Sequence, residues 1–282
     1  MKSIRFPAVS GLFYPSSKDS LIKQIENCFL SHIGPGSLPR LNPEGKREIV
    51  ALVVPHAGYM YSGPVAAHSY FSLAEDGKPE IIVILGPNHT GIGSGVSIMI
   101  SGKWRTPLGD VEIDEDTAKT IVEKSKFVDI DELAHTHEHS IEVQLPFLQY
   151  VLRDFKFVPI CMMMQDLKTS RDVGEAIASS IKGKNAIIIA STDLTHYEDQ
   201  KSASIKDRSV IESILSLDEE KLERIITEMN VSMCGPGPVA AAIYAAKLLG
   251  AKSAYLLKYA TSGDITGDYS SVVGYTSIKI VK

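Results

Sequence analysis

Short, almost uninterrupted apolar runs alternate along this chain with stretches of helical periodicity. The apolar runs fall at residues 49–54, 81–85, 155–160, 186–190 and 254–259, and the central ones are rich in Ile and Val. Runs of that kind fit strands covered on both faces, as in a parallel sheet. Between them the spacing predicts helices over residues 18–29, 117–124, 141–153, 171–181, 203–214, 219–228 and 239–249. Asp114 and Asp116 precede one helix, and Ser216 with Asp218 precedes another, as N-capping chemistry requires. Alternating strands and helices predict a layered α/β/α domain. Two stretches break the rhythm. Residues 96–113 read as a β-excursion with a turn, and residues 271–281 read as a late strand. The central sheet is therefore expected to be mixed but largely parallel. The Gly- and Pro-rich stretch at 34–46 reads as a surface loop, because too little chain precedes it to make a domain. One domain over residues 1–282 is expected.

Composition narrows the function classes. The chain has 282 residues, 44% of them hydrophobic, which is enough to bury a sizeable core. A net charge of −5 makes no electrostatic case for nucleic acid. No apolar stretch reaches the length of a membrane span. The N-terminus lacks the apolar core of a signal peptide, so a cytoplasmic location is the default expectation. Cys28, Cys161 and Cys234 are odd in number and widely spaced, which is no disulfide framework. Cys28 and Cys161 read as small buried hydrophobes.

Three segments carry candidate chemistry, and each follows or closes an apolar run: Val53-Val54-Pro55-His56-Ala57-Gly58, Leu85-Gly86-Pro87-Asn88-His89-Thr90 and Ala190-Ser191-Thr192-Asp193-Leu194-Thr195-His196. Ligands of open α/β sheets bind beyond the carboxyl ends of the strands. A repeated pattern of strand followed by His can therefore bring imidazoles to one place. A single strand-end His is more often a core residue bonded to a carbonyl; two examples of one pattern move the balance toward a site. Asp193 beside His196 is expected to fix the tautomer of the ring and serve acid–base chemistry, if the turn begins a helix that puts both on one face. The plainer alternative is a capping Asp with a structural His.

Cys234 opens Cys234-Gly235-Pro236-Gly237-Pro238 ahead of a helical run. A thiol near a helix N-terminus is expected to have a lowered pKa, and thiolate is the form that ligates metals or attacks carbonyls. In His135-Thr136-His137-Glu138-His139 the first two imidazoles, His135 and His137, read as solvated loop, whereas His139 and Glu142 are candidates for a supporting shell around a site. Gly91-Ile92-Gly93-Ser94-Gly95 invites a phosphate-loop reading, but a β-pattern follows it where a helix is needed.

Taken together these segments resemble the Memo family. The resemblance runs from Ala8-Val9-Ser10-Gly11 through Pro55-His56-Ala57-Gly58-Tyr59, Gly86-Pro87-Asn88-His89, Trp104-Arg105-Thr106-Pro107-Leu108-Gly109-Asp110, Glu138-His139-Ser140-Ile141-Glu142, Ser191-Thr192-Asp193-Leu194-Thr195-His196 and Cys234-Gly235 to Gly267-Asp268-Tyr269-Ser270. The Memo family is similar in fold to the class III extradiol dioxygenases, which hold Fe(II) with two His and one Glu and use a further His as acid–base catalyst. The resemblance implies His56 and His89 as metal ligands and His196 as the catalytic His. Cys234 stands where the dioxygenases have their carboxylate ligand, which argues against ring cleavage and favours softer ions. Animal members imply copper or iron, and recognition of phosphorylated peptides in the same cleft.

Three functions are expected from these readings. The first is one transition metal, copper or iron with zinc as an alternative, held by His56, His89 and Cys234 and used in redox or dioxygenase-like chemistry, with Asp193 and His196 acting on a bound ligand. The second is a binding module for a peptide or a small anionic or aromatic ligand, with Tyr59, Tyr61 and Tyr197 beside the motifs. The third is metal-free hydrolysis, with Cys234 as nucleophile, His196 as base and Asp193 orienting it.

Overall fold

A computed structural model describes residues 3–282. Met1 and Lys2, where the single-domain reading begins, lie outside the described residues. In chain order the elements are β1 (Ile4–Arg5), α1 (Lys18–Leu30), β2 (Ile49–Val54), α2 (Tyr59–Asp76), β3 (Ile81–Pro87), β4 (Val96–Ile98), β5 (Lys103–Thr106), β6 (Gly109–Ile113), α3 (Glu115–Lys124) and β7 (Val128–Ile130). They continue with α4 (Gln144–Leu152), β8 (Lys156–Met162), α5 (Leu167–Ile181), β9 (Ala186–Ser191), β10 (His196–Glu198), α6 (Gln200–Leu215), α7 (Glu219–Glu228), α8 (Pro236–Leu248), β11 (Ser253–Thr261), α9 (Gly263–Thr266) and β12 (Val272–Val281). No helix among the described residues is long and apolar enough to cross a membrane.

The sheet runs β1-β5-β6-β8-β3-β9-β2-β12-β10, with β11 beside β12 and with β4 and β7 beside β8. Its centre is parallel: β8, β3, β9 and β2 pair in one direction. These strands are the Ile- and Val-rich runs, and nearly every residue in them is buried. The antiparallel part is added at the margins, by β12 against β2 and β11 and by β4 against β8. The sheet is thus mixed and largely parallel, with α1, α2 and α4 packing together and α3, α5, α7 and α8 forming a second connected layer.

Register places the strand ends level. Val54 of β2 pairs with Ser191 of β9, and Leu85 of β3 pairs with Ala190 of the same strand. The loops that carry His56, His89 and Asp193 therefore leave one edge together.

Local chemistry explains most boundaries. Asp114 caps α3 by accepting from Thr117 N at 3.0 Å, and Asp218 caps α7 by accepting from Lys221 N at 2.8 Å. Asp116 lies inside the first turn of α3, and Ser216 closes α6. The helix expected from residue 141 begins at Gln144, because a tighter turn precedes it: Gln144 N and Leu145 N donate to carbonyls only three residues back. Helix α2 is not among the helix spans expected from the spacing, although the sequence around His68 reads as helix-like. It is buried on most sides and carries Gly63 and Pro64 internally, so it shows no amphipathic stripe. Gly63 is where α1 comes close; a Cβ there would sit 2.5 Å from Cys28 Sγ. Cys28 and Cys161 are buried free thiols, and burial pushes Cys28 up to about 12.

The N-terminal segment is held by a buried carboxylate. Glu142 accepts from Ala8 N at 2.7 Å, Val9 N at 3.2 Å and Tyr14 Oη at 2.5 Å, and it pairs with Arg5. Arg5 also donates to the carbonyls of His135 at 3.0 Å and Glu138 at 2.6 Å, and lies 4.4 Å from the Trp104 ring. Glu142 thus works away from the strand-end cluster, fixing the segment that delivers Phe13. His135 is buried against Trp104, with ring centroids 5.6 Å apart, and His137 is exposed.

Glu142→Ala leaves the Arg5 guanidinium buried without its counter-charge, so it should cost ~3–5 kcal/mol and lower Tm by on the order of 10 °C; calorimetry reads both, and an unchanged Tm would refute the assignment. Burial holds His135 down at about 4 against the ordinary 6.5. The unfolded chain takes up that proton first, so stability present above pH 6.5 is lost as pH falls toward 4. His135→Phe should flatten the Tm profile in that window.

Candidate metal centre

Each strand-end side chain is held by a different polar partner. His56 follows Pro55 at the end of β2 and is 2% exposed. Its Nδ1 lies 2.9 Å from Ser191 Oγ. The direction of that bond follows from the neighbours. Gln144 Nε2 donates to Pro55 O at 3.1 Å and to Ser191 Oγ at 2.8 Å, while Tyr70 Oη donates to Gln144 Oε1. Ser191 Oγ spends its one proton on Ser140 O at 2.6 Å. It can only accept from His56, so Nδ1 carries the proton and Nε2 is bare.

His89 sits on a turn built by Asn88, whose Oδ1 accepts from Thr90 N at 2.9 Å and Gly91 N at 3.0 Å. Glu138 holds it twice, accepting from His89 N at 2.6 Å and lying 2.9 Å from Nδ1. Glu138 also accepts from His139 N at 2.9 Å and Ser140 N at 2.8 Å. These donors and the imidazoles keep its carboxyl well below the usual range, despite burial. A carboxylate on Nδ1 leaves Nε2 of His89 bare as well.

Cys234 lies just ahead of α8, in a loop clamped by Gln165. Gln165 Nε2 donates to Cys234 O at 3.0 Å, and Gly237 N donates to Gln165 Oε1 at 3.0 Å. Gly235 fits because a Cβ there would meet Ser191 O at 2.8 Å. Sγ accepts from Asp193 N at 3.1 Å and lies 3.2 Å from His56 Nε2. Burial, with the Asp193 charge second, pushes the thiol up. The expected lowering at the helix N-terminus is overturned, because desolvation outweighs the dipole of a nearby helix end.

Donor atoms of His56, His89 and Cys234 all lie within 4.8 Å of one another. Around one ion with bonds of about 2.0–2.3 Å, such donors stand roughly 3.3–3.6 Å apart, so the set fits a metal after small adjustment. His139 joins the cluster directly. Its ring stacks on His89 at 4.7 Å and meets His56 edge-on at 5.5 Å. Burial holds it at about 4, partly offset by Glu138, and His56 is pushed down by burial and its imidazole neighbours.

Asp193 and His196 do not form the expected pair. Residues between β9 and β10 are not helical, and His196 opens a strand. Its Nδ1 donates to Ser232 O at 2.8 Å and its backbone N to Ser232 Oγ at 2.7 Å. Asp193 Oδ1 instead accepts from His56 N at 2.8 Å, and burial raises its carboxyl to about 6. The tautomer of His196 is thus set by a carbonyl, and Asp193 steadies the His56 backbone. In the hydrolase arrangement the ring beside the thiol is that of His56, and His196 has a different neighbour.

Both His196 and Asp193 line an open cavity of about 700 Å³ that also takes in His56, His89, His139 and Tyr275. Tyr197 stands at its rim with φ of 59°, a left-handed conformation that costs a bulky residue about 1–3 kcal/mol. Sequence reasoning passed over Glu138, Ser191, Gln144, Gln165, Ser232 and Tyr275. Only Glu138 carried a signal, as the one carboxylate among four closely spaced residues three of which are His.

A family model described as Memo-like protein matches residues 5–279. A MEMO1 family protein of Methanopyrus kandleri is 57% identical over 277 residues, covering 97% of this chain and 98% of its own. A second, from Methanocaldococcus jannaschii, is 54% identical over 286 residues, covering 98% and 99%. The crystal structure of an uncharacterized protein from Escherichia coli K12 aligns with a TM-score of 0.55 at 12% identity, covering 82% of this chain and 99% of that one; at that identity the likeness concerns the fold. With a family model spanning nearly all of its length and relatives above half identity, the chain belongs to the Memo family.

Proposed function

We propose that this protein holds one transition metal between His56 Nε2, His89 Nε2 and Cys234 Sγ, and acts on a small ligand in the adjoining cavity. The observation that carries the reading is the bare His56 Nε2, 3.2 Å from Cys234 Sγ with its other ring nitrogen committed to Ser191. Two imidazoles and a thiolate suit copper and zinc, and iron is the ion of the related triads with a carboxylate. A bound ion would supply polarisation of a ligand oxygen or one-electron chemistry. Cys234 in place of a carboxylate argues against ring cleavage.

The chain's own residues then have separable tasks. Ser191 and Glu138 present the two imidazoles in the ligating tautomer. Gln165 fixes the loop that carries the sulfur. His196, with Nδ1 on Ser232 O, turns its free Nε2 into acid–base service. His139 packs against both ligand rings and limits their movement.

Tag-free protein, loaded anaerobically and dialysed, should retain about one Cu, Fe or Zn per chain by mass spectrometry. His56→Ala combined with Cys234→Ala should abolish it; wild-type protein with only trace metal would end the proposal. Ser191→Ala should weaken metal binding ~10–100-fold. In the metal-free protein the same change should release His56 from a single tautomer, read from its ring nitrogen shifts by NMR. A variant with unchanged affinity and tautomer would show that the hydroxyl does not set the ring.

A further inference from the structure

The cavity beyond the cluster has an uneven chemistry. Phe13, Tyr61, Tyr197 and Tyr275 give it aromatic walls, and Asp193 and Asp268 give it carboxylates. Among the described residues, no Lys or Arg lines it. In the metal-free protein a phosphate or carboxylate group entering here would meet like charge with no Lys or Arg side chain to offset it. A cation meets the opposite conditions, carboxylates and the faces of aromatic rings.

Tyr275 supplies the second observation. It is 2% exposed, on β12, with its ring in a cluster with Ile33, Val65 and Ala260. It lines the cavity, and among the described residues nothing hydrogen-bonds its hydroxyl. The ring is buried while its hydroxyl opens to the cavity. The ring is fixed by packing, so the free oxygen is a preorganised position for a group brought by a ligand. Tyr61, Tyr197 and Asp193 all act electrostatically on that hydroxyl, which places it among the aromatic walls and near a carboxylate.

We infer that this cavity binds a protonated amine carried on an aromatic body, with the ammonium donating to Tyr275 Oη and balanced by Asp193 and Asp268. The ring of the ligand lies against Phe13 and Tyr61, and Tyr197 covers it from the rim. The inference keeps the aromatic half of the ligand expected from the sequence and replaces the anionic half. It needs no bound ion and goes beyond the metal reading.

The test uses the full-length, metal-free protein near neutral pH, titrated by NMR with benzylamine, benzyl alcohol and phenyl phosphate. Benzylamine should bind saturably, ~10-fold or more tighter than the other two, since a hydrogen bond from a charged group is the difference. Tyr275→Phe, checked as folded by its Tm, should lose ~10-fold in benzylamine affinity and leave benzyl alcohol unchanged. The inference is overturned if phenyl phosphate or benzyl alcohol binds as tightly, if benzylamine does not saturate, or if the folded Phe variant binds it equally well. Because no metal is present, any of these leaves the metal reading standing, and a failure to load metal leaves this one standing.

Discussion

The level register of β2, β9 and β3 is the constraint on which the site depends. Val54 opposite Ser191 and Leu85 opposite Ala190 bring three loops off one edge within reach of one another. A parallel sheet buried on both faces cannot slip by a residue without turning its Ile and Val side chains out of their packing. The stability of the core and the geometry of the cluster are therefore one requirement. The fourth loop, with Cys234, is brought in from α8, which packs across β2, β3 and β9.

A single short segment, residues 138–144, does most of the positioning. Glu138 holds His89; Ser140 accepts from Ser191 and donates to Pro87 O at 3.0 Å; Glu142 holds the N-terminal segment; Gln144 holds Ser191 and Pro55. All four are buried polar residues, and each is satisfied, as burial requires. Removing any one leaves a partner stranded in the interior. That coupling gives the segment its stiffness: the ring orientations of His56 and His89 are fixed from the same turn.

Much of the fold could be read before the structure, and the reasons are specific. Uninterrupted Ile and Val runs identify the central strands, and the position of His56 and His89 just past them foretells their meeting. Helix α2 escaped because a helix apolar on most faces has no periodicity to detect. The Asp193–His196 pairing failed because spacing gives proximity along the chain, whereas the extended backbone after β9 turns the two side chains to different partners, His56 N and Ser232 O. Ser191 and Tyr275 were illegible for another reason. Each occupies an ordinary strand position, and its importance lies in which of its bonds are already committed.

The cluster is costly to keep in the fold, and the cost has a direction. Three imidazoles are packed together, His56 edge-on to a stacked His89 and His139, two of them held neutral by burial, beside a thiol that burial also holds protonated. Hydrocarbon at the same positions would need no such network of Ser191, Gln144 and Glu138 behind it. Both ring nitrogens left bare point toward the sulfur side, and the nitrogens that carry protons point away from it. A purely structural core has no reason to collect its lone pairs in one place. A cation at that place would turn each cost into a bond, drawing the thiol proton off and using both lone pairs. The cavity above it, poor in fixed positive charge, then faces a centre whose charge the buried Asp193 tempers.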